Sequence, residues 1–232
     1  MSPKTVNCEM AIPAPKRRRG RPLGSGIATA TRERILRAAI HRFAQSGYAQ
    51  TSNQDIAREA GITSGSLYHY FDSKAALFRA ALHHCTGTLN DAYHGACRDA
   101  AAQSVVEQLC LGLERIIELA ADWPGIVRFG GNAAEEIRHN RDLDWLDIEH
   151  AQAFPDFFRN LVGEAVRRGE LGRDVNQEDV AALLLTLTMG LSISWASDND
   201  DQSFAARVRI YERLLRGELF HNGSDTINLL TS

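Results

Sequence analysis

The chain is poor in cysteine, in proline beyond its first 22 residues and in long apolar runs. Four cysteines among 232 residues are too few for a disulfide framework. The longest strongly apolar run, 180–193, is shorter than the roughly 20 residues of a membrane-spanning helix and contains several hydroxyl side chains. No apolar segment follows the N-terminal charges, so no secretory signal is evident. We therefore expect a cytoplasmic protein that does not associate with membranes.

The chain as a whole has no excess of positive charge, but its first third does. The 26 Lys and Arg residues against 29 Asp and Glu give a formal net charge of −3, which by itself argues against a nucleic-acid ligand. Residues 1–80, however, contain 13 basic and 5 acidic residues, a net charge of +8, whereas residues 81–232 have a net charge of −11. This asymmetry is typical of a chain in which one part binds a polyanion and the other does not.

Apolar residues recur at helical spacing along most of the chain, and no run alternates like a half-buried strand. We therefore predict an all-α fold with a small N-terminal three-helix domain and a larger C-terminal helical domain. The predicted bounds are a flexible basic arm in 1–28, the small domain in 29–75, the larger domain in 76–220 and a tail in 221–232.

Residues 53–70 have the spacing of a helix-turn-helix. Ala57 is small enough for the two helices to touch, and Gly61, four residues later, can take the positive φ of the turn. The start of the second helix is left outward, and that end enters a DNA major groove in such motifs. An ordinary helical hairpin is the alternative, but it does not explain the local charge of +8. The outward residues are Thr63, Ser64, Gly65, Ser66, Tyr68 and His69.

The stretch from Thr51 to Leu77, TS-x-x-DIA-x-x-AGI-x-x-GSLYHYFDSK-x-x-L, resembles the N-terminal signature of the TetR family of bacterial repressors. The resemblance covers about residues 31–82. It implies that Thr51 and Lys74 hold phosphates at the two ends of the motif and that Tyr68 and His69 contact phosphates or bases. We add Ser52, which can cap the second helix, to the predicted DNA-binding residues.

A basic segment precedes the first predicted helix. Arg-Gly-Arg-Pro at 19–22 resembles the centre of an AT-hook, in which two arginines enter a narrow minor groove. Arg19 and Arg21 would be inserted, with Lys16, Arg17 and Arg18 on phosphates. The alternative is a plain electrostatic tether to the DNA backbone.

A single helix-turn-helix reads few base pairs, so we expect a homodimer on a palindromic operator. Two apolar stripes, in 154–168 and 178–195, are candidates for the dimer interface, although both helices could instead be core helices of one monomer. The predicted interface residues are Leu161, Val162, Ala165, Val166, Leu184, Leu185, Thr188 and Ser192.

Most of the large aromatic residues lie in the acidic part of the chain, as expected for a pocket that binds a largely apolar small-molecule effector. Ordinary core packing is the alternative for each of them. The sequence does not identify the effector. The predicted ligand-binding residues are Leu82, Trp123, Phe129, Trp145, Phe154, Phe158, Met189 and Trp195.

Metal and catalytic motifs have little support. His83, His84, Cys85, His94 and Cys97 cluster in sequence but lack a standard ligand spacing, so we predict no metal and no cofactor and keep metal sensing as an alternative. No catalytic motif suggests an enzyme. The sequence therefore favours a ligand-responsive transcriptional repressor. The rival functions are a nucleoid-associated architectural protein and an enzyme with an appended DNA-binding domain.

Overall fold

The structure is a computed structural model that describes residues 24–143, 153–172, 174–198 and 201–220. All regular elements in these ranges are helical, which confirms the predicted all-α fold. Trp145, the basic segment 16–22 and the tail lie outside the described residues. The α-helices are α1 Gly24–Gln50, α2 Asn53–Glu59, α3 Ser64–Tyr68, α4 Lys74–Asp99, α5 Val105–Asp122, α6 Ile126–His139, α7 Ala153–Arg168, α8 Gln177–Asp198 and α9 Asp201–Leu215, and a single 3₁₀ turn spans Arg141–Leu143.

The helix ends of the N-terminal domain follow local sequence signals. Ser52, Thr63 and Ser73 each accept a hydrogen bond from a backbone N–H in the first turn of α2, α3 and α4. Gly61 has a φ of +66°, as predicted for the turn between α2 and α3. Gly47 has a φ of +73° and interrupts α1 close to its C-terminal end.

Helix α1 begins at Gly24, inside the predicted arm 1–28 and before the predicted start of the small domain at residue 29. Residues 27–30 are helical but fully on the surface, so they bury no apolar residue against the domain. The sequence prediction relied on buried apolar periodicity, which begins only at Ile35.

An aromatic cluster joins the N-terminal domain to the helices that follow it. Phe43 of α1 contacts Phe78 of α4 and Phe129 of α6, with ring centroids 5.1 and 6.0 Å apart, and Phe78 and Phe129 are themselves 5.2 Å apart. Tyr48 packs on the same cluster. Because all four rings are buried, α1 shares one continuous core with the rest of the protein.

The C-terminal helices pack mainly as antiparallel neighbours. Helix α5 folds back along α4, and α9 folds back along α8. Trp195 stacks on Phe204 with 4.4 Å between ring centroids, and the Tyr211 hydroxyl donates to the Leu184 carbonyl at 3.5 Å. These two contacts show that α8 and α9 run antiparallel.

Candidate nucleic-acid interface

Helix α3 exposes one face and anchors itself through the other. Leu67 is fully buried against the core, whereas Thr63, Gly65 and His69 are exposed and Tyr68 is 53% exposed. Ser64 and Ser66 are partly exposed. The sequence-predicted recognition residues thus lie together on one surface at the start and outer side of α3.

The N-terminal turn of α3 is held by its own side chains. Thr63 accepts a hydrogen bond from the Ser66 backbone N–H at 3.1 Å, and the two hydroxyls are 2.8 Å apart. A Cβ at Gly65 would meet only the Thr63 Oγ1, at 3.9 Å. The protein therefore leaves open space above Gly65, through which a DNA surface can approach the backbone closely.

A charged network orders the N-terminus of α2. The Ser52 hydroxyl donates to Asp55 at 2.5 Å, and Arg58 donates to the same carboxylate at 2.6 Å. The Ser52 hydrogen bond, together with the charges of Arg58 and Arg42, lowers the pKa of Asp55. Arg58 itself is highly exposed, so Ser52 and Arg58 form a hydroxyl and cationic edge beside α3.

Thr51 and Lys74, the two phosphate contacts that the resemblance implied, face the protein instead. The side chain of Thr51 is buried, 3% exposed, and its hydroxyl donates to the carbonyl of Gly47 at 2.7 Å. The Lys74 ammonium donates to the carbonyls of Tyr48 and Thr51 at 2.9 and 3.2 Å, with that of Ala49 at 3.5 Å. It also lies 4.3 Å from the centroid of the Tyr48 ring.

These contacts have a common cause. The positive φ of Gly47 ends the regular hydrogen bonding of α1, so the last carbonyls of that helix need donors from elsewhere. Thr51 and Lys74 supply them. In this structure both side chains support the α1–α2 turn, and the phosphate contacts that the resemblance implies stay a prediction.

One polar residue of this surface was missed at the sequence level. Asn53, the first residue of α2, donates its Nδ2 hydrogen to the Tyr68 hydroxyl at 3.1 Å and so links the two helices of the motif. No local signal reveals this contact, because it depends on the angle at which α2 and α3 cross.

The predicted effector residues that the structure describes do not form one group. Phe129 belongs to the aromatic cluster with Phe43 and Phe78. Trp123 packs against Arg37 and His84. The remaining described residues are distributed as follows: Phe154 and Phe158 contact Tyr93, Trp195 stacks on Phe204, Leu82 is partly buried, and Met189 is 43% exposed.

The grooves of the described protein do not unite these residues either. A groove of about 340 Å³ between the helix-turn-helix and the α5–α6 turn includes Trp123 but none of the other predicted effector residues. A second space of about 680 Å³ lies at the α7–α8 turn and contains none of them.

The predicted dimer residues divide between the inside and the surface of the protomer. Val166 is exposed, and Leu184, Leu185 and Ser192 are partly buried. The remaining four are buried within the protomer: Leu161, Val162, Ala165 and Thr188. They are buried because α7 packs on α4 and on the inner side of α8. These four side chains present no surface to a second copy in this structure.

A different set of large apolar residues is exposed on α8 and α9. We call this set the α8/α9 face. It consists of Leu183, Leu187, Met189, Ile193, Ile210 and Leu214. Exposed apolar side chains in such a group indicate an interaction surface rather than ordinary solvent exposure.

Helix α8 is also the one helix in the described ranges that is long and apolar enough to cross a membrane by length and composition. The qualifying segment is Gln177–Trp195, and only a small part of it is buried inside the protomer. It is longer than the apolar run 180–193, so length alone does not exclude a membrane span.

The His and Cys residues considered for metal sensing do not form a common site. Cys85 is fully buried and its thiol donates to the Ile126 carbonyl at 3.3 Å, and burial raises the thiol pKa to about 12. Across the residues with described positions, no group of three or more His, Cys, Asp or Glu side chains is placed to hold a metal ion.

Comparison with known proteins agrees with this architecture. The family model "Bacterial regulatory proteins, tetR family" matches residues 35–81. The HTH-type transcriptional regulator UidR of Escherichia coli (strain K12) is 29% identical over 190 residues, which cover 78% of this chain and 91% of UidR.

Two solved structures extend the similarity to the C-terminal helices. Salmonella enterica GusR is 26% identical with a TM-score of 0.58, covering 82% of this chain and 95% of that one. FadR from Bacillus subtilis, solved in complex with stearoyl-CoA, is similar in fold, with a TM-score of 0.66, 18% identity and coverage of 82% and 99%. The resemblance noted in the sequence is thus confirmed: this chain is a DNA-binding transcriptional regulator of the TetR family.

Proposed function

We propose that this regulator binds palindromic operator DNA as a homodimer in the cytoplasm and represses transcription until a small-molecule effector lowers its affinity for DNA. The observation that carries the proposal is the exposed surface of α3. This surface presents small hydroxyl residues, an open Gly65 and the exposed Tyr68, while Leu67 on the opposite side of the helix anchors α3 in the core. Such a surface fits the major groove.

The individual DNA contacts follow from exposure. Thr63, Ser64 and Ser66 can hydrogen-bond base edges or phosphates, and Gly65 permits close approach. Tyr68 and His69 lie at the outer end of α3, where phosphate oxygens border the groove. Exposed Ser52 and Arg58 are further proposed phosphate contacts beside Thr51 and Lys74, while the basic segment 16–22 adds either minor-groove insertion or electrostatic tethering.

The proposed dimer forms through the α8/α9 face. A two-fold interface needs a self-complementary patch, and an apolar face on two antiparallel helices can pack against its own copy as a four-helix bundle. Gly190, also exposed between Leu187 and Ile193, permits close helix approach. A second copy explains the exposed apolar surface of α8 without a membrane.

We propose that the effector contacts the aromatic side chains around Tyr93. This group unites Phe154 and Phe158 with Phe157, whose rings lie 5.2 to 6.4 Å from that of Tyr93 by centroid. An apolar wall of this kind suits an effector with a large apolar part. The stearoyl-CoA bound by FadR of Bacillus subtilis is an example of such a molecule in a protein of similar fold.

The test is a selection of bound fragments from random-sequence DNA with the full chain, repeated in the presence of candidate effectors, acyl-CoA thioesters among them. We expect a palindromic sequence to be enriched, to bind about 10³-fold or more tightly than random DNA, and to be released by an active effector. Tight binding without sequence enrichment would contradict the proposal and favour an architectural DNA-binding protein.

A further inference from the structure

We propose that Asn53 is a positioning residue for DNA recognition, which holds the Tyr68 hydroxyl as a hydrogen-bond donor toward DNA. The inference rests on the proposed operator binding and adds to it a residue that neither the motif nor the resemblance marked. Asn53 and Tyr68 are 15 residues apart, at the first position of α2 and the last of α3, and their polar atoms are 3.1 Å apart.

The hydrogen bond to Asn53 restricts the mobility of the Tyr68 side chain. Tyr68 is 53% exposed, so packing holds little of its ring, and a free tyrosine would lose rotamer freedom on binding DNA. The hydrogen bond from Asn53 ties the far end of this side chain to another helix before DNA arrives. An anchored side chain loses less entropy on binding, which raises affinity without any added DNA contact.

The hydrogen bond between Asn53 and Tyr68 runs from the amide to the hydroxyl. A tyrosine hydroxyl has one hydrogen to donate and can also accept. Because Asn53 donates through Nδ2, the Tyr68 hydrogen stays available for a phosphate oxygen or a base acceptor. Donation into the hydroxyl also polarises it, which strengthens the bond that it donates in turn.

The opposite orientation of the Asn53 amide would reverse this hydrogen bond. If the Asn53 oxygen faced Tyr68 instead, it would accept the phenolic hydrogen and remove the donor from the DNA side. Aspartate at position 53 enforces that arrangement, since a carboxylate only accepts, and it adds a negative charge near the phosphates. Asn53→Asp should therefore impair binding more than Asn53→Ala does.

The experiment is a double-mutant cycle on the selected operator with Asn53→Ala, Tyr68→Phe and the double variant, each in the full chain. We expect roughly 3- to 10-fold weaker binding for either single variant, and no further loss when Asn53→Ala is added to Tyr68→Phe. Asn160→Ala, at an exposed asparagine of α7, is the matched control and should bind like the wild type. Thermal unfolding should be unchanged in all of them, which separates positioning from a structural role.

Two results would overturn the inference while leaving operator binding intact: fold-changes that multiply in the double variant, or Asn53→Asp that binds as well as Asn53→Ala. A readout without DNA makes the inference independent of the operator. In a ¹⁵N-resolved NMR spectrum of the free protein, Tyr68→Phe should shift the Asn53 side-chain amide resonances and leave those of Asn160 in place. An unmoved Asn53 signal would contradict the hydrogen bond itself, whereas failure of the wild type to select DNA would contradict only the proposed function.

Discussion

Helix α3 and the α8/α9 face are two exposed surfaces in the described part of this protein, and they differ in chemistry. The five residues of α3 expose hydroxyls, a glycine and a tyrosine around one buried leucine. The much longer α8 exposes leucine, methionine and isoleucine along its length. The first surface suits a hydrated polyanion and the second suits an apolar partner, which is why we propose that one reads DNA and the other pairs two chains.

The largest effect is expected from a charge placed within the α8/α9 face. Leu187→Glu would bury two carboxylates against each other in a two-fold interface, at a cost of about 3 kcal/mol or more. We expect the dimer to weaken by at least ~100-fold. Sedimentation velocity measures this directly, with Gln177→Glu at the exposed start of α8 as the control. A Leu187→Glu variant that remains as dimeric as the wild type would place the pairing surface elsewhere.

A methyl group on α3 should act on DNA binding alone. Gly65→Ala places a Cβ in open space, and alanine stabilises a helix by up to ~1 kcal/mol relative to glycine. We expect unchanged or higher thermal stability with about 10-fold weaker operator binding, because the methyl group faces the groove.

Gly61→Ala is the matched control for that variant. Its position has no neighbouring atoms within 4 Å but a φ of +66°, so we expect a loss of about 1–2 kcal/mol in the free energy of unfolding. If Gly65→Ala bound the operator with normal affinity, α3 would not contact DNA at this position.

Substitution of Lys74 tests whether this basic residue stabilises the protein rather than binding phosphate. Lys74→Met removes the ammonium that binds the end of α1, and we expect a loss of about 1 kcal/mol in the stability of the DNA-free protein. Arg58→Met should leave stability unchanged and reduce the slope of log affinity against log salt by about 1. If Lys74→Met instead changes the salt slope and not the stability, the phosphate role implied by the family resemblance is the correct one.

The smallest effect is expected for the pH dependence of stability caused by His84 on α4, the helix that joins the N-terminal domain to the C-terminal helices. Burial lowers the pKa of His84, opposed by Glu33 and assisted by Arg32 and Arg37. The unfolded chain then takes up the proton first as pH falls, so stability should decrease between the ordinary value of about 6.5 and the lowered pKa of the folded state. His84→Gln should flatten this dependence in chemical denaturation, and exposed His69→Gln should not. If the stability of His84→Gln depended on pH as strongly as that of the wild type, His84 would not be the source of the pH dependence.

Local signals made the DNA-binding part predictable. Gly61, Ala57 and the caps Ser52 and Ser73 act through their own backbone or first turn, so their spacing in sequence carries the information. The inward use of Lys74 was not predictable, since it depends on where the broken end of α1 lies in space.

Helix α8 shows a different limit of sequence reasoning. It is apolar on nearly every side, so periodicity cannot tell the residues that pack inward, such as Thr188, from exposed ones such as Leu187. Of the interface residues predicted on this helix, Thr188 packs inward, whereas Leu184, Leu185 and Ser192 are partly buried. Because the helix is apolar on nearly every side, its sequence does not indicate which side a second copy would cover.

The most direct test of the two-surface account is the stoichiometry and footprint of the complex with the selected operator. We expect an even number of chains per duplex and protection of two symmetry-related half-sites, about one helical turn or a multiple of it apart. In Leu187→Glu the protection of both half-sites should be lost together. A single chain bound to one unrepeated site, with Leu187→Glu binding as tightly as the wild type, would contradict the account.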